Sequence, residues 1–187
     1  MKRLFDVIIA ALALLMFWPV LAVLLIWIRL ETPGAPIFAQ IRVGRQGRPF
    51  TCYKLRTMYR STANLPTHQT GASAITPFGK YLRRLKLDEL PQLYNVIVGD
   101  MSLVGPRPCL PAQVELIEAR RRLGVLDVRP GITGLAQVQG IDMSDPERLA
   151  RVDAEYARTH RLALDVRLLL ATLCGGGLGV DRVVREN

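Results

Sequence analysis

An uncharged apolar run near the amino terminus limits most strongly what this chain can fold into. Val7–Ile28 is 22 residues long and contains no charged side chain and no polar amide. As a helix the run would extend roughly 33 Å, against roughly 30 Å for the hydrocarbon core of a bilayer. The sequence therefore predicts a membrane helix over residues 1–30 and one compact domain over residues 31–187.

The path of this helix through the bilayer has two interpretations. A cleaved signal peptide is disfavoured, because the run is too long and no small-x-small site follows it. Pro19 removes a backbone donor in the middle of the run and clashes with the Leu15 carbonyl, so a kink or break is expected. Basic residues flank both ends, which favours a re-entrant helix with both ends on the cytoplasmic side. A kinked spanning helix is the alternative, and it also leaves the domain in the cytoplasm.

The overall charge points to an anionic partner. The 187 residues include 25 Lys and Arg against 16 Asp and Glu, a net charge of +9. The electrostatic field of such a positive charge attracts nucleic acid, phospholipid or a phosphorylated substrate. Three scattered cysteines and two histidines support neither a disulfide framework nor a zinc site.

The positive charge is concentrated in one segment. Thr32–Leu87 contains ten Lys or Arg residues and no Asp or Glu, so local ion pairs cannot neutralise it. The segment therefore faces anionic headgroups or lines a pocket for a polyphosphate. It ends in Asp88 and Glu89, and Pro91 after them suggests that the pair opens a helix. There the helix dipole and the basic residues just before the pair, Arg83, Arg84 and Lys86, would keep a carboxylate ionised.

The remaining pattern predicts a mainly helical α+β domain. Ile37–Tyr53 is typical of a hairpin, and Phe78–Leu87 and Pro111–Leu126 of helices. Ser144–Glu147 forms a capping box that opens another helix. Ala163–Cys174 is predicted as a last helix, either part of the core or lying on the bilayer surface. The polar, glycine-containing segment over residues 64–76 is predicted as an exposed loop.

Four ordered strings resemble one known family. Lys54–Met58, Leu87–Leu93, Gly99–Pro108 and Arg129–Val138 resemble the monotopic phosphoglycosyl transferases, the bacterial sugar transferase family. The resemblance implies a Mg²⁺-dependent enzyme on the cytoplasmic face of the bacterial inner membrane. Such an enzyme transfers sugar 1-phosphate from a UDP-sugar to polyprenol (undecaprenyl) phosphate and releases UMP, the first membrane step of glycoconjugate assembly. It also implies membrane lipid, and no nucleic acid, as a partner.

The resemblance assigns roles to individual residues. Asp88 is the expected nucleophile, forming a covalent phosphosugar intermediate, and Glu89 supports metal and geometry, so both are candidate Mg²⁺ ligands. Trp18 and Pro19 stand where family members have a Ser-Pro pair at the break in the membrane helix. The chemistry of phosphoryl transfer, independently of the resemblance, makes Arg83 and Arg107 candidate phosphate-binding residues, with Lys54 and Arg56 as further candidates. Arg129 begins a glycine-bearing candidate nucleotide loop that is equally typical of a structural turn.

Two other functions fit the residues. A membrane-tethered protein could bind anionic lipid or nucleic acid through the basic segment without catalysis, but this leaves the two carboxylates among the cations unexplained. A metal-dependent phosphohydrolase would use the same site and deliver sugar phosphate to water instead of lipid. Ile141 and Asp142 replace the Arg-Asn common in the family, a difference that bears on sugar preference without identifying the sugar.

Overall fold

A computed structural model describes residues 1–59 and 74–174. Most of the predicted loop over residues 64–76 lies outside the described residues. The helices and strands, in chain order, are α1 (Lys2–Glu31), β1 (Ile37–Val43), β2 (Pro49–Leu55), α2 (Pro77–Arg84), α3 (Gln92–Val98), β3 (Ser102–Val104), α4 (Val114–Arg122), β4 (Gly131–Thr133), α5 (Leu135–Val138), α6 (Pro146–Thr159) and α7 (Leu162–Leu173). The architecture is the predicted mainly helical α+β type.

Among the described residues, α1 is the one helix that is long and apolar enough to cross a membrane. Only 11% of its most apolar 18-residue stretch is buried. Helical backbone continues through Pro19, and a break at that residue stays a prediction. A narrow stripe of α1 packs on the domain, including Ala10, Leu24 and Ile28. Apart from Arg29, the exposed residues around the rest of the helix are apolar, and they include Leu4, Ile8, Leu12, Leu15, Met16, Trp18, Val23, Ile26, Trp27 and Leu30.

Both ends of α1 are bonded to the same domain. At the start of the helix, Lys2 Nζ lies 2.6 Å from Asp165 Oδ2, and the Arg3 guanidinium donates to two carbonyl oxygens at the end of α3. At the other end, the backbone N–H of Phe78 donates to Glu31 Oε1 over 3.0 Å. These contacts join α1 to α7 and α3 at one end and to α2 at the other. The division into a helix over 1–30 and a domain over 31–187 stays a prediction.

Two small sheets support the domain. Strands β1 and β2 form the predicted hairpin, antiparallel with Ile37 opposite Leu55 and Val43 opposite Pro49. Strands β3 and β4 pair in parallel, with Ser102 beside Gly131. Helix α4 lies on the crossover between them, as a parallel pair requires.

The helices that follow form as predicted, with corrected bounds. Helix α4 covers Val114–Arg122 and is shorter than the expected Pro111–Leu126, because Gly124 turns the chain with a φ of 72°. The predicted cap of α6 was wrong by one residue. Asp145 Oδ1 accepts from the N–H of Arg148, and Ser144 bonds instead to the Asp142 carboxylate.

The last helix leaves apolar side chains outside the core. Asp165 and Leu168 of α7 are buried against the domain. Four apolar side chains near three- or four-residue spacing are exposed: Leu162, Val166, Leu170 and Leu173. The core interpretation therefore holds for one face, where Leu164, Leu168 and Leu169 belong to or pack on the core. Contact of the exposed face with a bilayer stays a prediction.

Candidate active site

The two adjacent carboxylates lie on a 3₁₀ turn between α2 and α3. Leu87–Glu89 forms this turn and α3 begins at Gln92, so the pair opens a short 3₁₀ helix directly before α3 and not α3 itself. Lys86 adopts a left-handed φ of 56°, which lets the chain reverse direction directly after α2. This conformation costs a non-glycine residue roughly 1–2 kcal/mol. The strain is therefore located two residues before Asp88.

Glu89 is held by two cations. Its Oε1 lies 2.9 Å from Arg107 Nη2 and 3.2 Å from Lys54 Nζ. Burial alone would raise the pKa of Glu89, but the charges of Arg107 and Lys54 outweigh burial and lower this pKa to about 2. The Glu89 carboxylate is consequently ionised across the physiological pH range.

The pKa of Asp88 is shifted in the opposite direction. The residue is 9% exposed, and no described group donates a hydrogen bond to its carboxylate. Burial, together with the negative charge of Glu89, raises the pKa of Asp88 to about 6. Sequence reasoning named Arg83, Arg84 and Lys86 as the cations that keep a carboxylate ionised. The structure assigns that role mainly to Arg107 and Lys54, and the carboxylate they bond is Glu89.

Arg83, in the last turn of α2, also lies near the Asp88–Glu89 pair and the cations around it, and these residues together form a charged cluster. Its Nε donates to Thr57 Oγ1 over 2.8 Å, so a hydroxyl just after β2 orients the guanidinium. The charge of Arg83 opposes the rise in the pKa of Asp88. The structure thus brings together five of the predicted site residues: Asp88, Glu89, Lys54, Arg83 and Arg107.

Arg56 and Arg129 have other contacts. Arg56 Nη1 donates to the carbonyl of Pro33, in the turn after α1, over 3.3 Å. Arg129 Nε donates to the carbonyl of Gly99, just beyond α3, over 2.9 Å. No described contact brings either guanidinium to the carboxylate pair. Trp18, 59% exposed, lies beside Pro19 on the outer face of α1.

The glycines of the candidate nucleotide loop are used for backbone packing. A Cβ at Gly131 would lie 2.1 Å from the backbone nitrogen of Gly105, and one at Gly134 would lie 2.3 Å from the Gly105 carbonyl oxygen. Only glycine permits such an approach. This geometry favours the structural-turn interpretation of the loop, and it fixes the segment that carries Arg107.

Sequence reasoning missed one residue of the cluster. Arg42, on β1, donates through Nη1 to the carbonyl of Pro108 over 3.0 Å. Burial, reinforced by the positive charge of Arg107, lowers the pKa of Arg42 to about 10. The residue was counted in the basic segment, but nothing in the spacing indicated that the hairpin would carry it to Arg107.

The cluster has an excess of positive charge. Lys54, Arg83, Arg107 and Arg42 surround two carboxylates, of which only Glu89 has a depressed pKa. The Lys54 and Arg107 side chains are 21% and 20% exposed, so an anion can reach them from outside. A polyphosphate would neutralise the excess and match the donor geometry of the guanidinium groups.

The residues are compatible with Mg²⁺. No group of three or more Asp, Glu, His or Cys side chains suited to a metal occurs in the described part of the chain. Mg²⁺ is commonly bound by one or two carboxylates, with water and substrate phosphates completing its shell. Asp88, with no described hydrogen bond, and the second oxygen of Glu89 fit this donor set.

Two clefts lined by described residues lie elsewhere. A cleft of about 580 Å³ lies between α4 and α6, and one of about 540 Å³ lies beside the start of α1. Arg129 lines the second cleft, together with Arg3 and Arg45. This location separates Arg129 further from the carboxylate pair.

Comparison with known proteins relates this geometry to one family. The model of the bacterial sugar transferase family matches residues 1–176. A UDP-glucose:undecaprenyl-phosphate glucose-1-phosphate transferase of Caulobacter vibrioides is 40% identical over 182 residues, covering 92% of this chain and 68% of the relative. An undecaprenyl-phosphate glucose phosphotransferase of Komagataeibacter xylinus is 37% identical, and 92% of this chain spans 35% of its length. A UDP-N-acetylgalactosamine-undecaprenyl-phosphate N-acetylgalactosaminephosphotransferase of Aeromonas hydrophila is 36% identical, and 92% of this chain spans 42% of it.

Proposed function

Since this chain belongs to the bacterial sugar transferase family, we propose that it is a phosphoglycosyl transferase acting on a UDP-sugar and undecaprenyl phosphate. The observation that carries the proposal is the Asp88–Glu89 pair, set among Lys54, Arg83 and Arg107. The names of its relatives specify different sugars, glucose and N-acetylgalactosamine. The proposal therefore names the reaction and leaves the sugar open.

The electrostatic difference between the carboxylates selects the nucleophile. Glu89 is bonded by two cations, which lowers its pKa to about 2 and withdraws electron density from its oxygens. Asp88 has a pKa of about 6, so at pH 7.5 it is ionised yet more basic than an ordinary aspartate. A more basic, less strongly bonded carboxylate is the better nucleophile. Asp88 attacks, and Glu89 holds Lys54 and Arg107 in place.

Two displacements at phosphorus complete the reaction. An Asp88 oxygen forms a bond to the β-phosphorus of the donor, and the bond from that phosphorus to the bridging oxygen breaks, so UMP leaves with the electron pair. A phosphate oxygen of undecaprenyl phosphate then attacks the same phosphorus and releases the Asp88 carboxylate. Arg83, Arg107 and Lys54 stabilise charge on the non-bridging oxygens in both steps.

Mg²⁺ belongs to this proposal as a cofactor. Asp88 and Glu89 are the residues that would hold it, with the donor phosphates. When bound, the ion neutralises phosphate charge and orients the diphosphate. The chain's own cations, Lys54 and Arg107 beside Glu89, would supply part of that neutralisation.

The membrane arrangement is part of the same proposal. We infer that α1 is re-entrant and that its two ends lie on the cytoplasmic face of the bacterial inner membrane. This is supported by the bonds of Lys2 and Glu31 to one domain, because a spanning helix would carry one end about 30 Å away. The exposed apolar side chains of α7 would then rest on the bilayer beside α1. The acceptor phosphate lies at headgroup level, where the carboxylates must also lie.

Release of UMP tests the function. The full chain in membranes, given a panel of UDP-sugars and undecaprenyl phosphate, should release UMP and form a lipid-linked sugar diphosphate with at least one donor. Asp88→Asn should abolish both products while staying in the membrane, whereas Asp127→Asn, an exposed matched control, should retain activity. A fully active Asp88→Asn variant would refute the nucleophile assignment.

The same assay distinguishes the alternatives. A phosphohydrolase would deliver sugar phosphate to water without lipid product. A binding protein would give no UMP with any donor and would bind nucleic acid or anionic lipid with a steep dependence on salt.

A further inference from the structure

The segment that carries Arg107 is fixed through three consecutive backbone carbonyls. The Arg107 carbonyl accepts from Arg120 Nη1 over 2.9 Å, and the Pro108 carbonyl accepts from Arg42 Nη1 over 3.0 Å. The Cys109 carbonyl accepts from the backbone N–H of Val43 over 2.9 Å. The donors come from α4 and β1, two elements far apart in sequence. We refer to this arrangement as the carbonyl clamp.

A buried ion pair holds one side of the clamp. Arg120 Nε and Nη2 lie 3.0 Å and 2.6 Å from Asp153 Oδ2, on α6. The two residues are only 3% and 2% exposed. A buried ion pair is often no more stabilising than apolar residues of similar volume, because both charges must be desolvated. Stability alone therefore accounts poorly for this pair.

The geometry of Arg120 gives the pair a second role. One oxygen of Asp153, Oδ2, accepts from both Nε and Nη2 along one edge of the guanidinium and so orients the group, and the remaining Nη1 donates to the Arg107 carbonyl. Arg107 in turn places Nη2 at 2.9 Å from Glu89. Fixed donors stabilise a transition state without reorganising during the reaction. A small displacement of such a group can cost about a hundredfold in rate.

We propose that Arg120, oriented by Asp153, is a positioning residue that fixes the backbone of Arg107 for phosphoryl transfer, with Arg42 fixing the next carbonyl. The proposal rests on the proposed function. Arg120 touches neither carboxylate in any described contact and acts only through Arg107. Its removal should impair turnover more than donor binding, because the ground state tolerates a misplaced guanidinium better than the transition state.

A matched pair of double variants tests this role. Arg120→Met with Asp153→Leu replaces the buried pair by apolar side chains of similar volume, so no charge is left unpaired. Arg122→Met with Glu147→Leu is the control, since this exposed ion pair also joins α4 to α6 but has no described contact with Arg107. We expect kcat for UMP release to fall at least tenfold in the first variant, with less than a threefold change in KM. The control should match the wild type.

A second variant keeps the test valid if the first fails to fold. Arg120→Lys retains a cation beside Asp153 but cannot bond both Asp153 and the Arg107 carbonyl with a planar fork. We expect native melting behaviour and a kcat between those of the wild type and the double variant. Unchanged kcat in a folded Arg120 variant would overturn the proposal.

Combining the variants shows whether Arg120 acts through Arg107. In an Arg107→Ala background, removal of the Arg120–Asp153 pair should change kcat less than twofold, because the group it positions is already absent. A further tenfold loss in that background would mean that Arg120 acts by another route, and would overturn the proposal.

Hydrogen exchange separates this proposal from the function on which it rests. In the full chain in detergent without substrate, the non-proline backbone amides of residues 105–113 should exchange faster in the Arg120→Met, Asp153→Leu variant than in the control. Equal exchange rates would overturn the clamp, and faster exchange with unchanged kcat would overturn its role in the reaction. If the wild type releases no UMP, the proposed function fails, and the exchange comparison still decides whether the pair fixes Arg107.

Discussion

At the scale of single residues, the site depends on two neighbouring carboxylates with opposite pKa displacements. Glu89 bonds two cations, whereas Asp88 has no described hydrogen-bond donor. The favourable ion pairs of Glu89 are obtained at the expense of Asp88, which is buried beside a permanent negative charge. Reactivity at Asp88 is therefore linked to a local loss of stability.

This link predicts a pH-dependent effect of Asp88→Asn on stability. The native Asp88 carboxyl keeps its proton up to about pH 6, while an unfolded chain releases it near pH 3.9. The protonated carboxyl thus stabilises the native state fully below about pH 4, and this contribution is lost as the pH rises through 6. Asp88→Asn should be more stable than the wild type at pH 7.5, by roughly 2–3 kcal/mol at most.

Thermal unfolding in EDTA measures this effect. The melting temperature of Asp88→Asn should exceed that of the wild type at pH 7.5, and the two should converge near pH 4.5. Asp127→Asn, at an exposed site, should show no such divergence. A difference that is constant with pH would contradict the raised pKa.

The pH dependence of activity should reflect the ionisation of the Asp88 carboxyl. The acid limb of kcat/KM reports the free enzyme and should lie at or below pH 6, because Mg²⁺ held by Asp88 would lower the pKa of about 6 that the metal-free carboxyl has. Lys54→Met removes a cation that lowers the pKa of both carboxyls, so its acid limb should move to higher pH and its kcat should fall. UMP release between pH 5.0 and 8.5 measures both changes, with exposed Lys80→Met as the control. An acid limb that stays where it is in the wild type would show that Lys54 is not coupled to Asp88.

The residues of the site were predictable where the sequence carried a local signal. Asp88 and Glu89 stand out because they end a basic segment, and Lys54 and Arg107 lie in strings that resemble the family. Arg42 was missed because its neighbour Arg107 is 65 positions away and is reached only once β1 has paired and docked. The raised pKa of Asp88 was equally beyond the sequence, since burial is a property of the packed fold.

At the scale of elements, the parallel β3–β4 pair fixes the base of the site. Gly105 and Gly131 approach so closely there that a Cβ at Gly131 would lie 2.1 Å from the Gly105 nitrogen and 2.7 Å from its Cα. The pair was not predicted, because each strand has only three residues and the partners are separated by a crossover. Local periodicity in contrast identified the hairpin, α4, α6 and α7, whose patterns extend over seven or more residues.

Substitution of Gly131 should therefore be far more costly than that of another loop glycine. A Cβ at Gly131 would lie 2.1 Å from a backbone nitrogen, so Gly131→Ala should lower the melting temperature by more than ten degrees or prevent folding. Gly140→Ala meets nothing within 4 Å and has only a φ of 71° to oppose it, a cost of roughly 1–2 kcal/mol. Similar melting temperatures for the two variants would contradict the close approach.

At the scale of the whole molecule, α1 is the element on which the proposed membrane arrangement depends. The apolar run was evident from the sequence, and both interpretations placed the domain on one side of the membrane. The sequence did not predict that Lys2 and Glu31 would both bond the domain, because their partners lie far along the chain. That arrangement favours the re-entrant path.

Accessibility labelling tests the path. Two variants are made in a Cys174→Ser background, which removes the exposed native thiol. One has a cysteine inserted after Met1, and the other carries Ala35→Cys. Both should react with a membrane-impermeant maleimide in inverted vesicles and neither in intact spheroplasts. Met16→Cys, on the exposed apolar part of α1, should be protected in both preparations. Labelling of the two end positions from opposite sides would establish a spanning helix.

The packed stripe of α1 also bears on how a protein of this kind can be produced. Ala10, Leu24 and Ile28 are counted among the buried core of the domain, so cutting away the first thirty residues would open hydrophobic surface along α3 and β2. We therefore expect truncation to cause aggregation. Production of the folded domain should require α1 together with a lipid or detergent that covers the exposed apolar face of this helix.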